Sequence, residues 1–215
     1  MAVIMKKELT KSEHTHLWND FRGGSRDAFS RIYDLFSGDL YRYGYNLVRN
    51  RQVVEDCLHE LFLHIHEKRE KLGPTDNILF YLYRALRRRL LDTVGRLNKL
   101  DSDDYLFTDA AFLVQPYERT LIESELVERQ KELVVMALNE LPKRQKEILY
   151  LVFMKGLTYP QAAEVMGISL KSVYNTINIA LTTLRSGVRA SFESKGAFLS
   201  CISLLVSFLL AIRLL

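Results

Sequence analysis

The chain has 215 residues, 48% of them apolar, a formal net charge of +4 and a pI near 9.0. That length holds one large or two small domains, the apolar share is enough to bury real cores, and the mild basic excess favours an anionic partner. Two cysteines, Cys57 and Cys201, lie far apart without CxxC spacing, which argues against a disulfide framework and a cysteine-based zinc site and suits a reducing cytoplasm.

The amino terminus, MAVIMKKELTKSEHTH, offers a four-residue apolar patch before charges resume, too short for the core of a signal peptide. Beyond it the periodicity is helical nearly throughout, with few glycines or prolines and no alternating apolar runs between turn pairs. The expected fold is all-α. Two small helical domains, 10–98 and 121–190, are joined by a linker over 99–120, the second contains a helix-turn-helix, and a hydrophobic helix ends the chain over 191–215.

The first predicted helices run from Arg26 to Val48 and from Gln52 to Lys71. In the second, Val54, Leu58, Leu61, Phe62 and Ile65 share an inward face, leaving Asp56, Glu60 and Glu67 outward around an exposed Leu63. Carboxylates about an apolar contact suit a basic protein surface, although a plain solvated helix face accounts for the same charges. HELFLH, His59 to His64, superficially resembles a zinc-protease helix. Its histidines are five apart where the motif needs four, so they diverge by about 140° and no metal site is expected.

A third helix is predicted from Asn77 to Asn98. Leu79, Leu82, Leu86 and Leu90 form its apolar stripe, which turns Tyr81, Arg84 and Arg88 outward with Arg87 and Arg89 on the flanks. An aromatic ring beside guanidinium groups is a platform for unstacked bases, each stacked base contributing ~1–3 kcal/mol in single-strand binders. A solvated basic helix with its tyrosine packed on a neighbour is the plainer alternative. The helical pattern lapses between Lys99 and Arg119, a segment acidic at its start that includes Pro116.

Helices follow from Leu121 to Leu141 and from Lys143 to Met154, and then come two helix signatures separated by a short turn. Thr158 caps the first, with Pro160 in its first turn and Gln161 closing a capping box. Gly167 supplies the left-handed turn residue, and Ser169 caps the second helix. Val173, Ile177, Ala180 and Leu184 form the buried stripe of that helix. The opposite face carries Lys171, Asn175, Asn178 and Thr182, with Ser172, Tyr174 and Arg185 at its margins. Asparagine pairs bidentately with adenine, lysine reaches guanine or phosphate, and hydroxyls donate to phosphate oxygens.

The last segment, Ala197 to Ile212, has 16 residues without a charge. As a helix it would span ~24 Å against a ~30 Å hydrocarbon core, short for a membrane span. Ser200, Ser203 and Ser207 line one stripe of it, compatible with docking on this protein or a regulator, or with membrane contact through 197–215. No nucleophile elbow, phosphate loop or other catalytic constellation is present, so neither a cofactor nor an enzymatic activity is expected.

Taken together, these motifs resemble the small two-domain bacterial sigma factors of the extracytoplasmic-function (ECF) group, over about residues 17 to 190. Asp56, Glu60 and Phe62 match that family's D-x-x-x-E-x-F, with His59 where glutamine is usual. YLYRALRRRLLD, Tyr81 to Asp92, is similar to its WLYRIARNLALD, with Tyr81 for tryptophan and Arg88 for asparagine. Leu141 to Arg185 resembles the family's fourth region, with Asn175 and Asn178 where arginines are frequent. The resemblance implies a cytoplasmic subunit of core RNA polymerase. It would dock on the β′ clamp helices through Asp56, Glu60 and Leu63 and also meet the β subunit. Melted minus-ten bases would be captured on Tyr81, Arg84, Arg87, Arg88 and Arg89, and the minus-thirty-five duplex read with Lys171, Ser172, Tyr174, Asn175, Asn178 and Arg185. It further implies promoter DNA and an anti-sigma factor as partners, and a linker that threads near the RNA path. An autonomous helix-turn-helix repressor binding DNA as a dimer is the main alternative from the residues alone. A membrane-tethered interaction protein built around the tail is another.

Overall fold

The computed structural model describes residues 9–98 and 135–190, and the chain divides into two compact units, Met1–Tyr105 and Leu106–Leu215. Described residues are helical with no strand among them, as the periodicity requires. The predicted linker, most of the helix predicted from Leu121 and the apolar tail lie outside the described residues.

In the first unit a helix stands ahead of the first predicted one. This helix, α1, spans Lys11–Arg22 and is opened by a capping box: Thr10 Oγ1 accepts from the Glu13 amide at 3.2 Å while Glu13 Oε2 accepts from the Thr10 amide at 2.7 Å. Helices α2, Arg26–Val48, and α3, Arg51–Lys68, are capped by Ser25 and Asn50. A short 3-10 turn over Arg69–Lys71 follows, and then α4, Ile78–Asn98, where Asn77 Oδ1 accepts from the Phe80 amide at 2.9 Å.

These four helices bury one core. Trp18 and Phe21 of α1, Ile32, Leu40 and Tyr43 of α2, Val54, Leu61 and Ile65 of α3, and Leu82, Tyr83 and Leu86 of α4 are all essentially inaccessible. The closest approach falls at Gly44 of α2. A Cβ there would sit 3.0 Å from Val54 Cγ1 and 3.2 Å from Leu90 Cδ1, so α2 passes α3 and α4 at a distance that only glycine fits without repacking. The predicted apolar stripe of α4 is buried at Leu82, Leu86 and Leu90, and only its first turn differs. Ile78 is buried and Leu79 only partly so, and Tyr83 turns inward to meet Tyr43 edge-on with ring centroids 4.7 Å apart.

In the second unit residues 135–139 are helical, followed by α5, Lys143–Leu149, which continues as a π-helical turn over Tyr150–Met154. The single helix predicted from Lys143 to Met154 therefore changes its hydrogen-bond register midway; the Lys155 amide closes it by donating to the Tyr150 carbonyl at 3.1 Å. Then come α6, Tyr159–Met166, and α7, Leu170–Ala190, the two helices of the predicted helix-turn-helix. Thr158 and Gln161 form the capping box, Gly167 sits at φ 67° as the left-handed cap, and the Ser172 amide donates to Ser169 Oγ at 3.1 Å. Val173, Ile177, Ala180 and Leu184 are buried.

Candidate polymerase and nucleic-acid surfaces

The outward face of α3 follows from its inward one. With Val54, Leu58, Leu61, Phe62 and Ile65 buried, the 3.6-residue period leaves Asp56, His59, Glu60 and Glu67 exposed, and Leu63 stands 49% exposed among them. Beside this face a groove of about 430 Å³ runs between α2 and α3. Tyr33, Ser37, Gly38 and Tyr41 line one wall; Glu55, Leu58 and His59 line the other. The α2 tyrosines are not singled out by the sequence reading. Tyr33 is 45% exposed, and Tyr45 carries the Arg49 guanidinium 5.4 Å above its ring.

On α4 the structure corrects one expectation. Tyr81 is not an open platform. Its ring packs at 5.1 Å on that of Trp18, and burial pushes its hydroxyl pKa up. Arg84 and Arg88 are exposed as expected, Arg88 with a loose 3.9 Å pairing to Asp92 one turn on, and Arg87 is half-buried. Arg89 is committed elsewhere: its Nη1 donates to Glu60 Oε2 at 2.8 Å. One residue assigned to the protein-docking surface thus pairs with one assigned to the DNA surface, across the α3 and α4 interface. Cys57 lies near that junction, its thiol 3.5 Å from Thr93 Oγ1 and its pKa raised chiefly by desolvation.

The same region shows what α1 does. Trp18 Nε1 donates to the Gly73 carbonyl at 2.9 Å, the Ile78 amide points at His14 Nδ1 at 3.4 Å, and Lys11 faces Asp76 at 3.9 Å. Three side chains of one helix therefore hold the connection between α3 and α4 and the first turn of α4. Burial lowers the His14 pKa, opposed by the Asp76 and Glu13 carboxylates, so the ring is held neutral and its Nδ1 stays an acceptor.

On α7 the expected polar face is present. Lys171, Ser172, Tyr174, Asn175, Asn178, Thr182 and Arg185 are all exposed. Tyr174 meets the ring of Tyr159 edge-on at 4.8 Å, which ties the margin of α7 to the first turn of α6. The Thr182 hydroxyl donates back to the Asn178 carbonyl at 2.8 Å, so it is oriented along the helix. Among the described residues no group of three or more histidine, cysteine, aspartate or glutamate side chains is placed to hold a metal ion, and no helix is long and apolar enough to cross a membrane.

The family model "Sigma-70 region 2" matches residues 32–99, and "Sigma-70, region 4" matches residues 131–184. The chain is 28% identical over 150 residues to the ECF RNA polymerase sigma factor SigM of Bacillus subtilis, covering 66% of this chain and 83% of that one. It is 27% identical over 158 residues to the ECF RNA polymerase sigma factor BldN of Streptomyces coelicolor, covering 68% of this chain and 54% of that one. Among solved structures, CnrH in complex with the cytosolic domain of CnrY has a TM-score of 0.53 at 20% identity, covering 83% of this chain and 99% of that one. The sigma factor RpoE in complex with the anti-sigma factor NepR from Bartonella quintana has a TM-score of 0.51 at 18% identity, over 77% and 98%. At those identities the two structures speak to the fold alone. The two matched regions belong to one family, lie in its order and together span more than half of the sequence, so the chain belongs to the sigma-70 family, with relatives among its ECF sigma factors.

Proposed function

We propose that this protein is a transcription initiation subunit that binds core RNA polymerase and selects promoters by gripping DNA at two places. The observation that carries this reading is the order of surfaces along the chain: an acidic and apolar face on α3, an arginine-rich helix directly after it, and a separate helix-turn-helix with a polar outer face. Asp56, Glu60 and Leu63 dock on the β′ clamp helices, with the β subunit as a second contact. Arg84, Arg87 and Arg88 meet the phosphates and bases of the melted minus-ten strand, and Tyr81 and Arg89 join them once their present contacts are exchanged. The α7 face reads the minus-thirty-five duplex.

Opening a promoter costs ~1.4 kcal/mol per base-pair step, so several steps need offsetting by captured bases, polymerase contacts and supercoiling. The division of labour follows. Duplex recognition at one end positions the complex, and capture at the other stabilises separated strands, with no bond made or broken by this chain. The site of action is the cytoplasm, where polymerase and promoter meet. An anti-sigma protein occupying the α3 face in competition with polymerase is the regulator we expect, in keeping with the partner in the RpoE and NepR complex. The tail over 197–215 adds a docking or membrane contact to this core activity.

Permanganate probing of thymines on promoter fragments is the test. Reactive thymines confined to a minus-ten window, seen only when the chain and core polymerase are both present, support the reading. Reactivity with polymerase alone, or a footprint on duplex DNA by the chain alone without opening, contradicts it.

A further inference from the structure

The outer face of α7 is short of charge. Over Leu170–Ala190 the helix carries three cations, Lys171, Arg185 and Arg189, and no anion. Three phosphate contacts at most give a salt slope of only about −3 from this helix, and between Lys171 and Arg185 its face is left to base edges rather than the backbone. At one edge of that face stands Ile179, 56% exposed, more than either Leu170 or Tyr174 of the same helix.

A single exposed isoleucine is ordinary on a protein surface. Its position is what matters here. Helical spacing lines Ser172, Asn175 and Ile179 along one edge of the face, with Asn178 and Thr182 beside them. Tyr174, also exposed, spends its ring on Tyr159, whereas Ile179 is surrounded by polar neighbours that offer it no apolar partner on its own helix. In the major groove the apolar feature available to such a side chain is the C5 methyl of thymine, and the adenine of the same or a neighbouring pair offers N6 and N7 to an asparagine amide.

We infer that α7 reads a minus-thirty-five duplex rich in A·T pairs, with Ile179 packed on a thymine methyl and Asn175 and Asn178 turned to adenines. This rests on the initiation reading above and adds the base class that reading leaves open. Ile179 is a specificity-determining residue: replacing it changes which sequence is preferred more than how tightly DNA is held.

The test uses the full chain with core polymerase. Active promoters are first selected by transcription from templates randomised upstream, and each thymine of the selected upstream element is then replaced by uracil, which removes only the C5 methyl. The expected result is a loss of about fourfold in initiation at one thymine, the worth of one buried methyl group. Ile179→Ala is expected to lower output on the thymine template and abolish the difference between thymine and uracil. Its unchanged melting temperature would show that the exposed position is not needed for folding. Selection of G·C pairs throughout the element, or a uracil penalty equal in Ile179→Ala and the natural chain, overturns the inference while leaving the initiation reading intact. Absence of any start with the natural chain overturns both.

Discussion

At the scale of single residues, His14 and Gly167 bear on stability in ways that can be checked. His14 is held neutral in the fold chiefly by desolvation, so its folded pKa lies below the ordinary 6.5. The unfolded chain then binds the proton more readily. The contribution of His14 is full above about pH 6.5 and is lost as pH falls through the folded value, when an imidazolium can no longer accept from the Ile78 amide. Urea midpoints compared for the natural chain and His14→Gln should differ at pH 7.5 and converge towards pH 5. A constant difference across that range would sink the assignment. Gly167 has open space around it, with nothing within 4 Å of a built Cβ, so Gly167→Ala isolates the backbone cost of its φ of 67°. A loss of about 1–2 kcal/mol is expected in denaturant unfolding; a neutral result would mean that the turn relaxes freely.

At the scale of elements, α1 is a brace for the connection between α3 and α4. Trp18→Phe keeps a ring in the core but deletes the donor to Gly73, and should cost about 1 kcal/mol of stability. If α1 positions the first turn of α4 for strand capture, the same substitution also shortens the lifetime of open promoter complexes while leaving affinity for core polymerase unchanged. Equal losses in both would make Trp18 merely structural. The Glu60 and Arg89 pair is part-exposed, so Glu60→Ala should cost less than ~1 kcal/mol in folding. A larger loss of polymerase binding in that variant therefore reports docking rather than unfolding.

These elements also show what a single sequence reveals. The helix-turn-helix was legible because its signals are local: a capping box within four residues, one glycine at the turn and a stripe repeating every three or four positions. The α3 face was legible for the same reason, since five buried residues fix the direction of the other side. Which of the two readings of Tyr81 holds is hidden from the sequence, because its partner, Trp18, lies far away on a helix the periodicity does not mark out. Ile78 continues the buried stripe of Leu82, Leu86 and Leu90, and α1 covers the neighbouring side of α4, where Tyr81 meets Trp18. The pairing of Glu60 with Arg89 was hidden likewise, because each charge taken alone reads as a solvated group.

At the scale of the whole molecule, two units of one chain each present a different chemistry: carboxylates and guanidinium groups packed close together in the first, amides and hydroxyls in the second. Each fits one step of the promoter engagement proposed above. The acidic face and the arginine helix share the Glu60 and Arg89 ion pair, so on the proposed reading docking on polymerase would alter a residue of the strand-capturing helix. The central claim is that the α3 face turns DNA recognition into initiation. Run-off transcription from a promoter fragment with purified core polymerase tests it most directly, comparing the natural chain with the Asp56→Arg, Glu60→Arg double variant. Discrete starts with the natural chain and none with the folded double variant are predicted. Equal starts with both, or tight promoter binding by the chain alone with no transcript at all, would contradict the account.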